Sequence, residues 1–179
     1  MSILKVARMG HPVLRERARP LDPTEVRTST FQKLIDDMIE TMVEYEGIGL
    51  AAPQVHEGVR LFVAGVEGNG DNLKIVPFIN PVITPIGDET VEDWEGCLSI
   101  PDIRGRVPRA REIKVKALDR NGRRIEISAR GFTARVIQHE TDHLDGVLFF
   151  DRMKSLETMT FLEEFGRYWN PRHRDIPEE

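Results

Sequence analysis

The sequence predicts an α+β fold in which antiparallel β-sheets surround a central helix, with an amphipathic helix toward the N-terminus and another helix at the C-terminus. Three observations predict it. Phe31, Leu34, Ile35, Met38, Ile39, Met42 and Val43 recur at helical spacing. Several stretches of β character then follow, two of them flanking Asn121-Gly122, a pair suited to a hairpin turn. Finally, Phe132, Val136, Ile137 and Leu144 restore helical spacing around the run His139-Glu140-Thr141-Asp142-His143.

The first helix stops near Gly47, and its methionines read as core packing. Strands are expected at 59–66 and 73–79, where β-branched and apolar residues cluster. Apolar and polar residues alternate over 112–118 and 123–129, which predicts two strands with one face buried. The second helix carries the HExxH run and ends by Gly146. A last helix is expected over 156–169, because Asn170-Pro171 then disfavours helical backbone, and the charged tail 172–179 is expected to be mobile.

The 179 residues, 40% of them hydrophobic, suit one domain spanning 1–179 with a sizeable core. No apolar run is long enough for a membrane span. The start MSILKVARMG lacks the apolar core of a signal peptide, so the expected compartment is the cytoplasm, and a single cysteine fits reducing conditions. A net charge of −5 argues against a general nucleic-acid binder, although it does not bear on a small local patch.

HExxH on a helix brings His139 and His143 to one face, four residues apart, where both rings can hold one ion and Glu140 can reach a water beside it. A catalytic divalent site needs a third protein ligand and one open position. The lone cysteine, Cys97 in Glu95-Gly96-Cys97-Leu98-Ser99, is a buried small hydrophobe, a reactive thiol or that third ligand. As a ligand, its thiolate favours Fe(II), Zn(II), Co(II) or Ni(II) over magnesium or calcium. Gly47-Ile48-Gly49-Leu50-Ala51-Ala52-Pro53-Gln54 reads by itself as a helix stop and tight turn, yet its small residues let a ligand approach the backbone, and Gln54 can offer an amide to developing negative charge.

In combination and order, GIGLAAPQ, EGCLS and HETDH resemble the three signature motifs of the peptide deformylases, and the resemblance runs from Met9-Gly10-His11-Pro12 to about Met153. It implies a metallohydrolase that removes the formyl group from N-terminal formylmethionine of newly made polypeptides and releases formate. It further implies that Cys97, His139 and His143 hold one divalent metal ion, Fe(II) physiologically with zinc, nickel or cobalt able to replace it. Glu140 would be the general base and acid, Gln54 and the Leu98 backbone N–H would stabilise the oxyanion, Gly49 would hydrogen-bond the substrate main chain, and Gly47, Ile48 and Gly96 are further candidates for binding substrate. The implied partners are N-formylmethionyl peptides and nascent chains, with transient ribosome contact and neither nucleic acid nor membrane.

Helical spacing places Phe132 and Arg135 on the face of His139. With Ile48 and the apolar stem of Arg135, Phe132 can form a slot for an unbranched side chain, the guanidinium reaching water; a core Phe132 and a surface Arg135 fit the spacing equally well. Arg104 is a further candidate for the substrate main chain. Two other readings stay open. One is a peptidase using HExxH on a different amide, against which the upstream Cys97 counts. The other is a structural metal module, with a shell closed by His11, His56 or His173.

Overall fold

The computed structural model describes residues 2–67 and 73–170. A short helix α1 (Pro23–Val26) precedes the amphipathic helix α2 (Ser29–Glu44), whose Thr28 cap accepts from the Phe31 N–H at 3.3 Å. Its chain reverses as the Gly47 N–H donates to the Met42 carbonyl at 2.8 Å. Five antiparallel strands follow in the spatial order β1 (Gly49–Ala51), β2 (Leu61–Glu67), β3 (Leu73–Pro85), β6 (Glu112–Leu118), β7 (Arg124–Arg130). A second sheet places β5 (Ile100–Ala110) between β4 (Thr90–Cys97) and the two-residue β8 (Thr160–Phe161).

Strand β2 shows why the core has two compartments. Leu61 and Val63 point to one face and pack with Ile35, Met38, Met42 and Leu50, so that α2 covers this side. Phe62 and Ala64 point to the other, against Phe78, Ile113, Val115, Ala134, Ile137 and Leu144, where helix α3 (Gly131–Leu144) lies. A third cluster, Leu14, Cys97, Ile100, Val107, Leu148 and Phe149, sits under the smaller sheet beside the short helix α4 (Phe149–Arg152). Met38 and Met42 are fully buried. The β6–β7 connection turns at Gly122, φ +74°, with the Asp119 carboxylate accepting from the N–H groups of Asn121 and Arg123 at 2.8 Å each.

Two expectations about elements need correction. The stretch expected to be one helix over 156–169 is instead a 3-10 turn (Leu156–Thr158), strand β8, a three-residue helix α5 (Leu162–Glu164) and a π turn (Phe165–Trp169). Phe165 and Trp169 pack on Trp94 at the edge of the smaller sheet, and that contact overrides local helical preference. Strands β1, β4 and β5 were absent from the pattern, because glycines, prolines and charges break their alternation. The tail 172–179 lies outside the described residues. No helix among those described is long and apolar enough to cross a membrane.

Helix α3 ends inside the protein, so its last carbonyls need partners. The Leu144 carbonyl accepts from Ala18 N–H at 2.9 Å and from Arg60 at 3.3 Å. Gly146 then turns the chain at φ +71°, where an added Cβ would lie 2.6 Å from the Arg15 carbonyl oxygen. Both the left-handed conformation and the lack of space oppose a side chain. Gly146→Ala is expected to destabilise the fold by about 1–3 kcal/mol or more, read as a lower urea midpoint at unchanged slope.

Candidate metal centre

From Thr133 to Leu144 every residue of α3 is buried, although the run includes Arg135, Gln138, His139, Glu140, Thr141, Asp142 and His143. Burying so many polar groups is tolerable only if they find partners. Most do. Gln138 bonds both backbone groups of Ala110, accepting from its N–H at 3.1 Å and donating to its carbonyl at 2.9 Å. Thr141 donates to the Ile137 carbonyl at 2.7 Å. Asp142 accepts from Arg109 at 2.5 Å and Arg152 at 2.8 Å. Two α3 atoms, Oε2 of Glu140 and Nδ1 of His143, are buried with no protein partner, and both belong to the HExxH run.

Those residues meet Cys97 from the end of β4. The ligand atoms of Cys97, His139 and His143 all lie within 4.8 Å of one another, with Cys97 Sγ 3.2 Å from His143 Nε2. His139 Nδ1 is engaged at 3.0 Å by Glu95, which leaves Nε2 for an ion, and such a carboxylate fixes the tautomer and aim of a ligating imidazole. Burial opposes ionisation of the Cys97 thiol, yet His143 and His139 hold it well below its ordinary value. A thiolate and two imidazoles at this separation suit a tetrahedral divalent ion with one position left over. His11 and His56 pack against each other instead, ring centroids 4.7 Å apart, and neither belongs to this cluster; His173 lies outside the described residues.

Glu140 faces the same space. Burial pushes its carboxyl up to about 7, partly offset by His139 and His143. It rests against Gly49, where an added Cβ would come within 2.7 Å of its carboxyl carbon. Gln54 is buried and fixed at both ends of its amide, the oxygen accepting from Ala51 N–H at 2.8 Å and Nε2 donating to Ser99 Oγ at 3.2 Å, with Cys97 Sγ 3.5 Å away. A cleft of about 890 Å³ opens onto this group and is lined by Gly47, Ile48, Gly49, Gln54, Gly96, Leu98 and Phe132, among others. Arg104 also lines it, its guanidinium packed over Gly96 where any side chain would collide.

Arg135 corrects the expected slot. Its guanidinium does not reach water: it is buried and donates to Glu95 Oε1 at 2.7 Å and to the carbonyls of Val107 at 2.8 Å and Val91 at 2.7 Å. Strand carbonyls and a buried carboxylate hold a cation more strongly than an open cleft edge does. Phe132 stays half exposed at the cleft wall.

Sequence reading assigned no role to Glu95, Arg109 or Asp142, which form the support beneath the ligands. Arg109 grips Glu95 through two bonds of 2.8 and 2.9 Å and reaches Asp142 with its third nitrogen. Burial alone would raise the Glu95 carboxyl, but hydrogen bonds from Arg109 and His139 overcome it and hold the group at about 2. One signal was available for Glu95: it stands two residues before Cys97, so on a strand both share a face.

Comparison with known proteins agrees with this geometry. The family described as "Polypeptide deformylase" matches residues 3–159. "Peptide deformylase 2" of Nostoc sp. is 42% identical over 164 residues, which cover 88% of this chain and 90% of that protein. A class I type b peptide deformylase from Acinetobacter baumannii with Met-Ala-Ser bound superposes with a TM-score of 0.80 at 39% identity, covering 86% of this chain and all of that one. The peptide deformylase of Thermotoga maritima gives 0.77 at 42% identity, covering 87% of this chain and all of its own.

Proposed function

This chain belongs to the polypeptide deformylase family, and from that membership together with the geometry of its site we infer how its residues carry out the reaction. It is a metal-dependent hydrolase that removes the N-formyl group from the N-terminal formylmethionine of newly made polypeptides. The observation that carries the residue assignments is a buried carboxylate with one unpartnered oxygen, Glu140, beside the Cys97, His139 and His143 cluster at the floor of an open cleft.

Cys97, His139 and His143 would hold the ion, Fe(II) by preference with Zn(II), Ni(II) or Co(II) as substitutes, and when bound it would supply polarisation of the formyl carbonyl and a more acidic water. Glu140 accepts the proton of the attacking water and returns it to the departing amine. A carboxyl raised toward neutrality by burial suits both transfers. The Gln54 amide and the Leu98 N–H donate to the developing oxyanion, and the bonds that already fix Gln54 mean little reorganisation is needed.

Strand β1 is an edge of the larger sheet and β4 an edge of the smaller one, so Gly49 and Gly96 present backbone to the cleft from two sides. An extended peptide pairs readily with such edges. Gly47, Ile48 and Phe132 wall the place where the methionine side chain lies, and Arg104 lies within reach of the main chain beyond it. Arg135 contributes from behind, by holding Glu95. Nascent chains are the expected substrates in a cytoplasmic setting, with only transient contact at the ribosome.

Protein reconstituted with nickel is expected to release formate from formyl-Met-Ala-Ser and nothing from acetyl-Met-Ala-Ser. Absence of formate from a sample holding one metal per chain would remove the assignment. Gly49→Ala tests the placement of the carboxylate: its methyl group displaces Glu140, and kcat is expected to fall on the order of 10²-fold at unchanged metal content.

A further inference from the structure

The stretch that matches the family ends at residue 159, yet the chain continues in defined structure to Asn170 and returns to the cleft. Strand β8 pairs Thr160 with Arg104 and Phe161 with Ile103, which anchors the returning segment to β5. Beyond it, Phe165 and Trp169 pack on Trp94 of β4, ring centroids 5.0 and 5.7 Å apart. Leu162, at the head of α5, lines the same cleft as Trp94 and Cys97, and its side chain is not consumed by the core, since 40% of its surface remains exposed.

Position along β4 says which part of a substrate this wall meets. Trp94 stands three residues before Cys97, about 10 Å away along an extended strand. A peptide lying extended beside β4 with its formyl group at Cys97 brings its second and third residues to the same distance. The side chains bordering the cleft there include an indole and an isobutyl group, and burial against them rewards apolar surface.

We propose that Leu162 and Trp94, held in place by segment 160–169, form an apolar subsite that reads the second and third residues of the formylated peptide and favours apolar side chains there. The proposal rests on the deformylase assignment and adds a selectivity to it. Leu162 acts by contact with substrate remote from the reacting atoms, so its effect falls on KM more than on kcat.

The test compares formyl-Met-Leu-Leu with formyl-Met-Ser-Ser, using the nickel-loaded full chain, its Leu162→Asn variant and its Leu162→Met variant. The wild type is expected to prefer the leucine peptide roughly tenfold in kcat/KM, chiefly through KM. Leu162→Asn is expected to bring that ratio close to one, and Leu162→Met to keep it. No preference in the wild type, survival of the preference in Leu162→Asn, or equal loss on both peptides would overturn the subsite. Failure of the wild type to release formate from either peptide would overturn the deformylase assignment and the subsite together, a result distinct from turnover without preference.

Discussion

Replacing Glu140 with Gln or Ala is expected to lower kcat by about 10³-fold or more while leaving one metal ion bound per chain. The reason is local. Glu140 is not among the three groups whose ligand atoms cluster, yet its carboxyl group is buried beside them with Oε2 unpartnered and Gly49 packed against it. Loss of the carboxylate removes the proposed proton carrier and leaves Cys97, His139 and His143 in place, so the absorption spectrum of a cobalt-loaded variant should match that of the wild type. The same burial predicts an opposite effect on stability. A buried carboxyl without a full set of partners costs free energy, and Glu140→Gln keeps its shape without the charge. The metal-free variant is therefore expected to unfold at a higher temperature than metal-free wild type. Retention of more than about a tenth of the wild-type kcat in both variants would show that some other group carries the proton.

Arg109→Met is expected to be the most damaging single change away from the ligands, destabilising the fold by about 3–5 kcal/mol. Arg109 is buried between two buried carboxylates, with two nitrogens on Glu95 and one on Asp142. Methionine fills much of its volume but leaves Glu95 with Arg135 and Asp142 with Arg152 as their remaining cationic partners. For a chain of this size the change corresponds to a Tm lower by roughly 10 °C or more. A second effect follows through Glu95, which orients His139: metal affinity should fall about 10–100-fold, measured by competition with a chelator. A variant that unfolds within 1 kcal/mol of wild type would show that the network can relax around the missing guanidinium.

Periodicity carried much of the scaffold. The stripe from Phe31 to Val43 lies in α2, the pattern around 132–144 lies in α3, and Asn121-Gly122 turns between β6 and β7. These are segments where spacing of apolar residues and backbone preference agree, so local physics is enough. Strands β4 and β5 escaped because a strand containing Glu95, Gly96, Pro101, Arg104, Gly105 and Pro108 has no alternation to read. They bury charge in an ion-pair network, and a charge finds its partner only after the chain has folded. The C-terminal segment misled for the related reason that its aromatic residues answer to Trp94 rather than to one another.

The candidate site divides in the same way. Cys97, His139, Glu140 and His143 were legible as donor types, because a metal demands particular atoms at particular spacings, whereas Gln54 drew its expected role only from the family resemblance. Arg135 was expected to line the slot with its guanidinium reaching water; it does line the cleft, but its guanidinium turns inward to Glu95 and the strand carbonyls, since helical spacing fixes a side chain's direction but not what waits there. Thus the sequence by itself determined which donor groups its short motifs offer: a thiol, two imidazoles, a carboxylate and an amide. Only the tertiary structure decided the environment: that α3 is buried on every side from Thr133 to Leu144, that Glu95 and Arg109 brace His139, and that the C-terminal turn comes back to wall the cleft. Donor chemistry is a property of single residues, whereas burial, pairing and reach are properties of segments far apart in the chain and exist only once those segments meet.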